Sequence, residues 1–316
     1  MKILANDGLS AKAITLLEQN DFEVITTKVA QEQVGNYINK NEIDILLVRS
    51  ATKAGKELIE NCPTLKAIGR GGIGLDNIDV EYAISKGITV FNTPEASVNA
   101  VAELAIAHLL SGARYLHDAN RNMPLEGDTQ FNQLKKVYSN GLEIKDKTLG
   151  IIGFGKIGKA VAKKALGLGM KVIATGNKNE SAPVEIEFYN NQKIAIPVDI
   201  MSMEELLPQA DFISIHVPAQ NDYLLTQNEF KKMKHGVGMI NCSRGELINE
   251  VDLIDYLENK QISFAGLDVF QDEPTPAVQL LMHPDISLTP HIGGSTIETQ
   301  EKISLELANQ IITLFK

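Results

Sequence analysis

The feature that most constrains the fold is a glycine pattern in the segment TLGIIGFGKIG, residues 148–158. An apolar run of strand character leads directly into Gly153, Gly155 and Gly158, and a segment of helical periodicity follows. In such a turn the first glycine permits the tight bend, the second lets the backbone approach a pyrophosphate, and the third lets helix and strand pack closely. A second strand-like run, KVIAT (171–175), completes the unit that the pattern requires. The pattern predicts an α/β domain that binds a dinucleotide at a helix N-terminus.

The position that usually carries a ribose-binding acid has none here. About 20 residues after the first glycine, at the end of the second strand, such chains place an acid that binds the ribose hydroxyls of NAD. The sequence there reads TGNK, with Gly176 at the acid's position, Asn177 beside it and Glu180 as the nearest substitute. No carboxylate repels a 2′-phosphate, so these residues leave the choice between NAD and NADP open.

Strand-like and helical segments alternate along the whole chain, which is typical of parallel sheets with crossover helices. The strand candidates of the first third are too apolar for a sheet with one wet face. They are KILAND (2–7), FEVITT (22–27), IDILLVRS (43–50), LKAIGRG (65–71) and ITVFNTP (88–94). Beyond the glycine turn the candidates are KVIAT, DFISIHVP, VGMINCS and FAGLDVF. A final helix over 296–315 follows the last strand, and we expect it to pack back on the first domain.

Local patterns predict the helices between these strands. Apolar residues at helical spacing predict one long helix from Ser97 to about His117, with His108 in its apolar part, and the polar segment HDANRNMPLEGDTQFNQ is expected to form a loop. Capping boxes predict three further helix starts. They are Ser202 with Glu205, Thr226 with Glu229, and Ser295 with Glu298.

The bulk composition excludes several classes of function. A chain of 316 residues exceeds the size of one ordinary core, so two domains are expected. The formal charge of −10 argues against nucleic acid, whose phosphates bind basic surfaces. Cys62 and Cys242 give neither a disulfide framework nor a metal-ligand spacing. The sequence begins with neither a signal peptide nor a membrane-length apolar run, so we expect a cytoplasmic protein.

Four charged groups follow strand candidates beyond the glycine turn. They are Arg244 in NCSRGE, Asp268 and Glu273 in GLDVFQDEP, and His291 in TPHIGG. Ligand chemistry in open α/β sheets lies at the carboxyl ends of strands. A histidine fixed by a neighbouring carboxylate can move a hydroxyl proton, and a guanidinium can bind a substrate carboxylate. Each residue alone could be an ordinary surface or loop group, but the set in this order predicts a dehydrogenase active site.

These segments resemble the signature motifs of the D-isomer-specific 2-hydroxyacid dehydrogenases. The motifs are GIIGFGKIG, HVP, INCSRGELINE, GLDVFQDEP and TPHIGGST. In the first domain, VRSATK (48–53), GRGGIGLDNID (69–79) and NTP (92–94) are most similar to the D-3-phosphoglycerate dehydrogenases of that family. The resemblance implies two doubly wound parallel-sheet domains, with a Rossmann dinucleotide-binding domain (97–287) inserted into a flavodoxin-like substrate domain (1–96 and 288–316). It also implies a short form without a C-terminal regulatory domain.

The resemblance implies a role for each candidate residue. Arg244 would bind the substrate carboxylate, His291 would be the acid/base and Glu273 its partner. The implied cofactor-binding residues are Gly153, Gly155, Lys156, Ile157, Gly158, Asn177, His216, Val217, Pro218, Cys242, Ser243, Asp268, Gly293 and Gly294. The implied substrate-binding residues are Arg49, Ser50, Lys53, Arg70, Gly71 and Gly72.

Three cations of the first domain suggest a phosphorylated substrate. Arg49, Lys53 and Arg70 lie at or just after strand ends, and together they supply the positive charge that a phosphate needs in an acidic protein. Alternatively, Lys53 is merely solvated and Arg49 pairs with a nearby acid. The glycines after Arg70 would offer backbone N–H groups to a substrate carboxylate.

The predicted function is hydride transfer between a nicotinamide cofactor and C2 of a small D-2-hydroxy acid. The favoured substrate pair is 3-phosphoglycerate and 3-phosphohydroxypyruvate, as in serine biosynthesis, with NAD as cofactor and NADP as the alternative. Two other hypotheses are a glyoxylate or hydroxypyruvate reductase on the same scaffold, and a non-catalytic, cofactor-sensing corepressor-like protein. The resemblance of the helix from Ser97 onward to the family's dimerisation region predicts a homodimer without nucleic-acid or membrane partners.

Overall fold

A computed structural model describes residues 1–176 and 182–316. The chain divides into two compact units, Met1–Val98 with Gly294–Lys316, and Asn99–Gly293. The first unit is therefore discontinuous in sequence. The division near the C-terminus follows Gly293 instead of the expected 288, because residues 289–293 are hydrogen bonded to Asp268 of the second unit.

The first unit is built on a five-stranded parallel sheet with the strand order β2-β1-β3-β4-β5, as in flavodoxin-like folds. Its elements up to residue 92 are β1 (Lys2–Ala5), α1 (Ala11–Glu18), β2 (Glu23–Ile25), α2 (Val34–Asn41), β3 (Ile45–Val48), α3 (Lys56–Glu60), β4 (Ala67–Arg70), α4 (Val80–Ser85) and β5 (Thr89–Asn92). Every residue of β3 is buried, because apolar side chains from both faces of this central strand are covered.

The second unit carries a larger sheet. Its elements are α5 (Val98–Ala113), α6 (Leu116–Glu126), α7 (Phe131–Val137), β6 (Thr148–Ile152), α8 (Lys156–Gly167), β7 (Lys171–Thr175), β8 (Ala182–Glu187), β9 (Lys193–Ile200), α9 (Met203–Leu206), β10 (Phe212–Ile215), α10 (Gln227–Phe230), β11 (Val237–Asn241), α11 (Glu250–Glu258), β12 (Ile262–Leu267), α12 (Val278–Met282) and β13 (Ile286–Leu288). The final helix α13 (Ile297–Phe315) belongs to the first unit and packs on α1.

The strands of the second unit have the order β13-β12-β11-β10-β6-β7-β9-β8 among the described residues. All neighbouring pairs are parallel except β8 with β9, an antiparallel edge hairpin that the sequence patterns do not predict. The strand order reverses at β6, which has β10 on one side and β7 on the other. Ligands bind at such a switch point in doubly wound folds. The predicted fold class is confirmed.

Two predictions for the segment after residue 97 are wrong. The helix α5 ends at Ala113, because Tyr115 adopts a left-handed conformation with a φ of 52°. The polar segment expected to form a loop instead contains α6 and α7. Two of its polar side chains bond to Tyr138, just after α7: the Tyr138 hydroxyl donates to Asp118 and accepts from Asn122, each at 2.8 Å. Leu134 of α7 is buried, whereas five apolar side chains in and beside these helices are exposed. These are Leu116, Met123, Leu125, Phe131 and Val137.

One of the three predicted capping boxes is also wrong. The boxes at Ser202 and Thr226 are present. The last helix is capped by Thr296 and not by Ser295, because the Thr296 hydroxyl accepts from the N–H of Thr299. The helix therefore starts one residue later than the box requires. No helix in the described part of the chain has the length and apolar character needed to span a membrane.

Two glycines let α5 lie close to β12. A Cβ at Gly112 would overlap the ring of Phe264, and a Cβ at Gly266 would lie 2.5 Å from the Cβ of His108. A side chain at either position would separate the helix from the strand. The close packing brings His108, on α5, against β12, the strand that immediately precedes Asp268.

Candidate active site

The glycine turn connects β6 to α8. Gly153 has a φ of 98°, and a Cβ there would lie 2.5 Å from the carbonyl oxygen of His216. A Cβ at Gly158 would overlap the carbonyl oxygen of Gly153, so only glycine permits this packing. A Cβ at Gly155 meets no atom within 4 Å, so the backbone is open there. An open backbone at the N-terminus of a twelve-residue helix fits a pyrophosphate group.

His216 lies immediately after β10 and beside this turn. Its Nε2 is 2.8 Å from the Ser214 hydroxyl, while its Nδ1 is buried and has no hydrogen-bond partner among the described residues. Burial lowers the pKa of His216 to about 3, so the ring is neutral at neutral pH. A buried nitrogen without a partner next to the turn fits a site that a cofactor completes.

The turn after β11 fixes the position of Arg244. The Asn241 side chain donates to the Arg244 carbonyl at 2.8 Å and accepts from the N–H of Ser243 at 3.0 Å. The Ser243 hydroxyl donates to the carbonyl of Val217 at 2.5 Å. Arg244 Nη1 donates to the Ser243 carbonyl at 2.8 Å. Strand ends β10 and β11 are thereby joined directly at the carboxyl edge of the sheet.

Neighbours of Arg244 pack tightly. A Cβ at Gly245 would overlap the backbone of Phe270, so the chain after Arg244 lies directly on the segment after β12. Cys242 is buried, and burial raises the pKa of its thiol, which keeps it uncharged. Cys242 therefore serves as a packing group and not as a nucleophile.

Asp268 is the buried carboxylate around which the next loop is ordered. It is 1% exposed, and its Oδ1 accepts from the Thr289 hydroxyl at 2.6 Å and from the N–H of Ile292 at 2.8 Å. Its Oδ2 accepts from the N–H of Gly293 at 2.8 Å. Burial raises the pKa of Asp268, and these three hydrogen bonds oppose that shift. Three donors on one carboxylate favour its ionised form.

His291 and Glu273 form a hydrogen-bonded pair. His291 Nδ1 lies 2.7 Å from Glu273 Oε2, and the second carboxylate oxygen accepts from the N–H of Phe270 at 3.1 Å. His291 adopts a left-handed φ of 53°, and its N–H donates to the Asp268 carbonyl at 2.8 Å. A carboxylate at Nδ1 fixes the ring orientation and leaves Nε2 to exchange a proton. The imidazole is half exposed, so that nitrogen is accessible.

A buried acid that the sequence does not single out supports this pair. Glu250 is 8% exposed and accepts from the N–H of Gln271 at 2.8 Å, while the Gln271 side chain accepts from the N–H of Glu250. Burial raises the pKa of Glu250. The bonds fix the segment that leads to Glu273. In the sequence, Glu250 looks like any acid in the first turn of a helix, so no local pattern identifies it.

The candidate substrate residues Arg49, Ser50 and Lys53 follow β3 in the first unit. The Asp7 carboxylate accepts from the N–H groups of Arg49 at 2.6 Å and Thr52 at 3.1 Å, and from the Thr52 hydroxyl at 2.8 Å. Burial lowers the pKa of Arg49, and the charge of Asp7 opposes that shift. Ser50 and Lys53 are exposed. Arg49 is thus a half-buried cation on a loop with a fixed backbone.

The glycines after Arg70 differ from the expectation. The N–H of Gly71 donates to the Val48 carbonyl at 2.8 Å and that of Gly72 to the Arg70 carbonyl at 3.0 Å. The N–H donors of Gly71 and Gly72 are thus already bonded within the chain. Gly72 has a φ of 153°, and a Cβ there would overlap the Arg70 guanidinium. Glycine at position 72 therefore makes room for the Arg70 side chain.

The remaining predicted cofactor residues lie in several segments. Lys156 and Ile157 form the first turn of α8, and Gly293 and Gly294 lie in the loop before α13. Pro218 is exposed beyond β10. Asn177 falls outside the described residues. The structure therefore brings together Arg244, Asp268, Glu273 and His291 in the second unit, where the glycine turn also lies, while Arg49 and Arg70 belong to the first.

Comparison with known proteins agrees with this geometry. Residues 106–293 match the family model "D-isomer specific 2-hydroxyacid dehydrogenase, NAD binding domain". The chain is 39% identical to a hydroxypyruvate reductase from Thermotoga maritima, over 98% of this chain and 97% of that protein. It is 37% identical to a D-3-phosphoglycerate dehydrogenase from Methanocaldococcus jannaschii, over 98% of this chain but only 57% of the relative's length. A solved glyoxylate reductase from Paecilomyes thermophila superposes with a TM-score of 0.82 at 27% identity, covering 98% and 94% of the two chains.

The chain belongs to the D-isomer-specific 2-hydroxyacid dehydrogenase family. It is thus a dehydrogenase of 2-hydroxy acids that uses a nicotinamide cofactor. The family assignment from the sequence motifs is confirmed. The relatives differ in the substrates that their names give, so the family alone does not identify the substrate.

The lowered pKa of His216 predicts how this dehydrogenase responds to acid. The unfolded chain takes up a proton near pH 6.5, whereas the folded protein does so only near pH 3. The stabilisation is therefore complete above pH 6.5 and is lost as the pH falls below it. Replacing His216→Gln should reduce the loss of unfolding free energy between pH 7 and 5 by about 1–2 kcal/mol, measured by urea denaturation.

The matched control is Ser214→Ala, which removes the hydrogen bond to Nε2 but keeps the imidazole. We expect it to retain the pH dependence of the original protein. Parallel stability curves for the original protein and His216→Gln would contradict the assignment of a buried neutral ring.

Proposed function

We propose that this dehydrogenase interconverts 3-phosphoglycerate and 3-phosphohydroxypyruvate with NAD, as in serine biosynthesis. The observation that carries the proposal is the half-buried Arg49 on a loop whose backbone is bonded to Asp7. A guanidinium with a fixed backbone suits a dianionic phosphate, because charge-assisted bonds are strongest when the donor needs little ordering. Arg70 and Lys53 would add positive charge. The similarity to D-3-phosphoglycerate dehydrogenases supports the same substrate class.

His291 would perform the proton transfer. With its Nδ1 bonded to Glu273, Nε2 can donate a proton to the keto oxygen in reduction and accept the hydroxyl proton in oxidation. Arg244 would bind the substrate carboxylate in a bidentate manner and orient C2. A bound nicotinamide supplies or accepts the hydride. The glycine turn and the first residues of α8 would bind its pyrophosphate.

A second candidate is reduction of hydroxypyruvate or glyoxylate on the same scaffold. The hydroxypyruvate reductase from Thermotoga maritima, which matches this chain along nearly its whole length, favours it. These keto acids carry a carboxylate but no phosphate, so they would need Arg244 and not Arg49. NADP is the alternative cofactor, because Gly176 replaces the acid that usually binds the ribose hydroxyls of NAD.

A spectrophotometric assay tests the proposed function. We expect the highest kcat/KM with 3-phosphohydroxypyruvate, compared with hydroxypyruvate and glyoxylate, and with NADH preferred over NADPH. A higher kcat/KM with an unphosphorylated keto acid would replace the first proposal with the second. Binding of NADH without turnover of any keto acid would instead favour a cofactor-sensing protein.

The role of Arg49 predicts a substrate-selective defect. Replacing Arg49→Gln removes the cation but keeps a polar side chain, and it should raise KM for 3-phosphohydroxypyruvate by about 10- to 100-fold. The KM for hydroxypyruvate serves as the internal control and should change by less than about twofold. Equal increases for both substrates would assign Arg49 to the carboxylate, and no increase for either would exclude it from the site.

We also propose a homodimer formed through α6 and α7. Asp118 and Asn122 of α6 bond within the protomer to Tyr138, while Leu125 and Phe131 are 75% and 56% exposed. An apolar surface of this kind is typical of an interface.

Light scattering at micromolar concentration should therefore give the mass of two chains. Leu125→Glu should give monomers, because a buried unpaired charge opposes association. The control is Ile84→Glu, at an apolar residue that is 63% exposed in α4 of the first unit, and it should remain dimeric. A monomeric original protein would refute the proposal.

A further inference from the structure

A buried chain of hydrogen bonds connects α5 to the catalytic loop. His108 Nδ1 lies 2.9 Å from the Ser287 hydroxyl, and His108 Nε2 lies 2.9 Å from the Thr289 hydroxyl. The Thr289 hydroxyl lies in turn 2.6 Å from Asp268 Oδ1. His108, Ser287 and Asp268 are each less than 7% exposed. These distances make a continuous chain from the helix to the carboxylate that orders the loop.

Only one assignment of donors and acceptors is consistent along these hydrogen bonds. An ionised carboxylate only accepts, so the Thr289 hydroxyl donates its single proton to Asp268. The Thr289 oxygen must then accept from His108 Nε2–H. Burial lowers the pKa of His108 to about 4, so the ring carries one proton at neutral pH, and that proton is on Nε2. His108 Nδ1 therefore accepts from the Ser287 hydroxyl.

The backbone makes room for this imidazole. Gly266 on β12 lies so close to His108 that a Cβ would be 2.5 Å from the histidine Cβ and 2.9 Å from its Cγ. A larger side chain at 266 would displace the ring from Thr289. An apolar residue would fill the position of His108 on α5 equally well, so packing alone does not require an imidazole.

These hydrogen bonds lead to the loop that contains His291, the proposed proton-transfer residue. The Asp268 carboxylate accepts from the N–H groups of Ile292 and Gly293, and its carbonyl accepts from the N–H of His291. His291 adopts a left-handed conformation, which costs free energy for a residue with a Cβ and persists only where the surroundings hold it. Loss of one of the hydrogen bonds to Asp268 would let the backbone of His291 relax.

We propose that His108 is a positioning residue that orients His291 through Thr289 and Asp268. The donor on Nε2 keeps the Thr289 hydroxyl directed at the carboxylate, which keeps both carboxylate oxygens available to the loop. The effect on catalysis rests on the proposed role of His291, whereas the hydrogen-bond direction does not.

Other titratable groups lie near the hydrogen bonds that join His108, Thr289 and Asp268. His291 on the catalytic loop acts on Asp268, Asp268 acts on the Cys242 thiol just after β11, and His117 on α6 acts on His108. The Ser111 hydroxyl lies 3.3 Å from Ser287 and 3.4 Å from His117 Nδ1, distances too long for strong bonds. A change at His108 therefore reaches Asp268 chiefly through Thr289.

The first experiment measures the tautomer of His108 and needs no activity. Nitrogen-15 NMR of histidine-labelled protein, assigned by comparison with His108→Gln, should give a protonated-nitrogen shift at Nε2 and an unprotonated one at Nδ1 at pH 7. A proton on Nδ1 would reverse the donor direction and would overturn the proposal. This outcome is independent of the substrate.

The second experiment compares kinetic variants in the direction of keto-acid reduction. His108→Leu should lower kcat by roughly tenfold while KM stays within about twofold, because His108 contacts no substrate. The acid limb of its pH profile should move upward by about half a pH unit or more, since the ionised Asp268 loses support. His108→Gln keeps an N–H donor at the same reach and should restore most of the kcat.

The matched control is Leu109→Ala, a change at the next residue of α5 that removes core packing without touching a hydrogen bond. It should lower the thermal midpoint but leave the pH profile in place. Thr289→Val should reproduce the His108→Leu profile, and the double variant should show no further shift. If His108→Leu behaves like Leu109→Ala, the imidazole only packs, and the proposal fails.

The two levels of inference fail in different ways. An original protein without turnover of any keto acid would contradict the proposed function, while the NMR result would still decide the hydrogen-bond direction. An active original protein with an unmoved profile in His108→Leu would contradict the positioning role alone.

Discussion

The second unit depends on one buried carboxylate, Asp268. Burying a charge is unfavourable unless hydrogen bonds replace the lost water, and here a hydroxyl and two backbone N–H groups do so. The same bonds impose order on a segment without regular secondary structure. Because the backbone donors belong to Ile292 and Gly293, the residues after His291 cannot move while the carboxylate is ionised. The desolvation cost of Asp268 is thus offset by bonds that also keep His291 in its left-handed conformation.

The parallel sheet explains why the functional groups lie together. In β10, β11 and β12 the carboxyl ends point to one edge, so Ser243, Asp268 and the residues that follow them meet there. The turns are tied directly to one another, as in the bond from the Ser243 hydroxyl to the Val217 carbonyl. Side chains placed by rigid strands and cross-bonded turns lose little entropy on binding a ligand. The edge hairpin of β8 and β9 lies at the far end of the sheet and contributes none of these groups.

Local chemistry made part of this site predictable. The glycines of the turn are required by backbone geometry at their own positions, and Gly153 and Gly158 indeed have no room for a side chain. The residue types and the order of Arg244, Glu273 and His291 are likewise visible along the chain. Other features depend on contacts distant in sequence. Nothing near His108 indicates that its Nε2 is hydrogen bonded to Thr289, 181 residues away. The helix α6 was missed because its apolar side chains, such as Leu125, are exposed, so they form no buried stripe at helical spacing.

The two units fix their candidate functional loops by the same kind of interaction. In each, a carboxylate at the end of a strand bonds to backbone N–H groups of a neighbouring loop, Asp7 in the first unit and Asp268 in the second. Asp7 fixes a loop whose charged residue, Arg49, is suited to a static anion, because a guanidinium keeps its charge throughout. Asp268 fixes the loop that carries His291, whose imidazole is hydrogen bonded to Glu273. A fixed backbone favours ligand binding by Arg49 and His291, because ordering a mobile side chain on binding costs free energy. The two carboxylates thus fix their loops through the main chain, and the side chains of Arg49 and His291 take their positions from the ordered backbone.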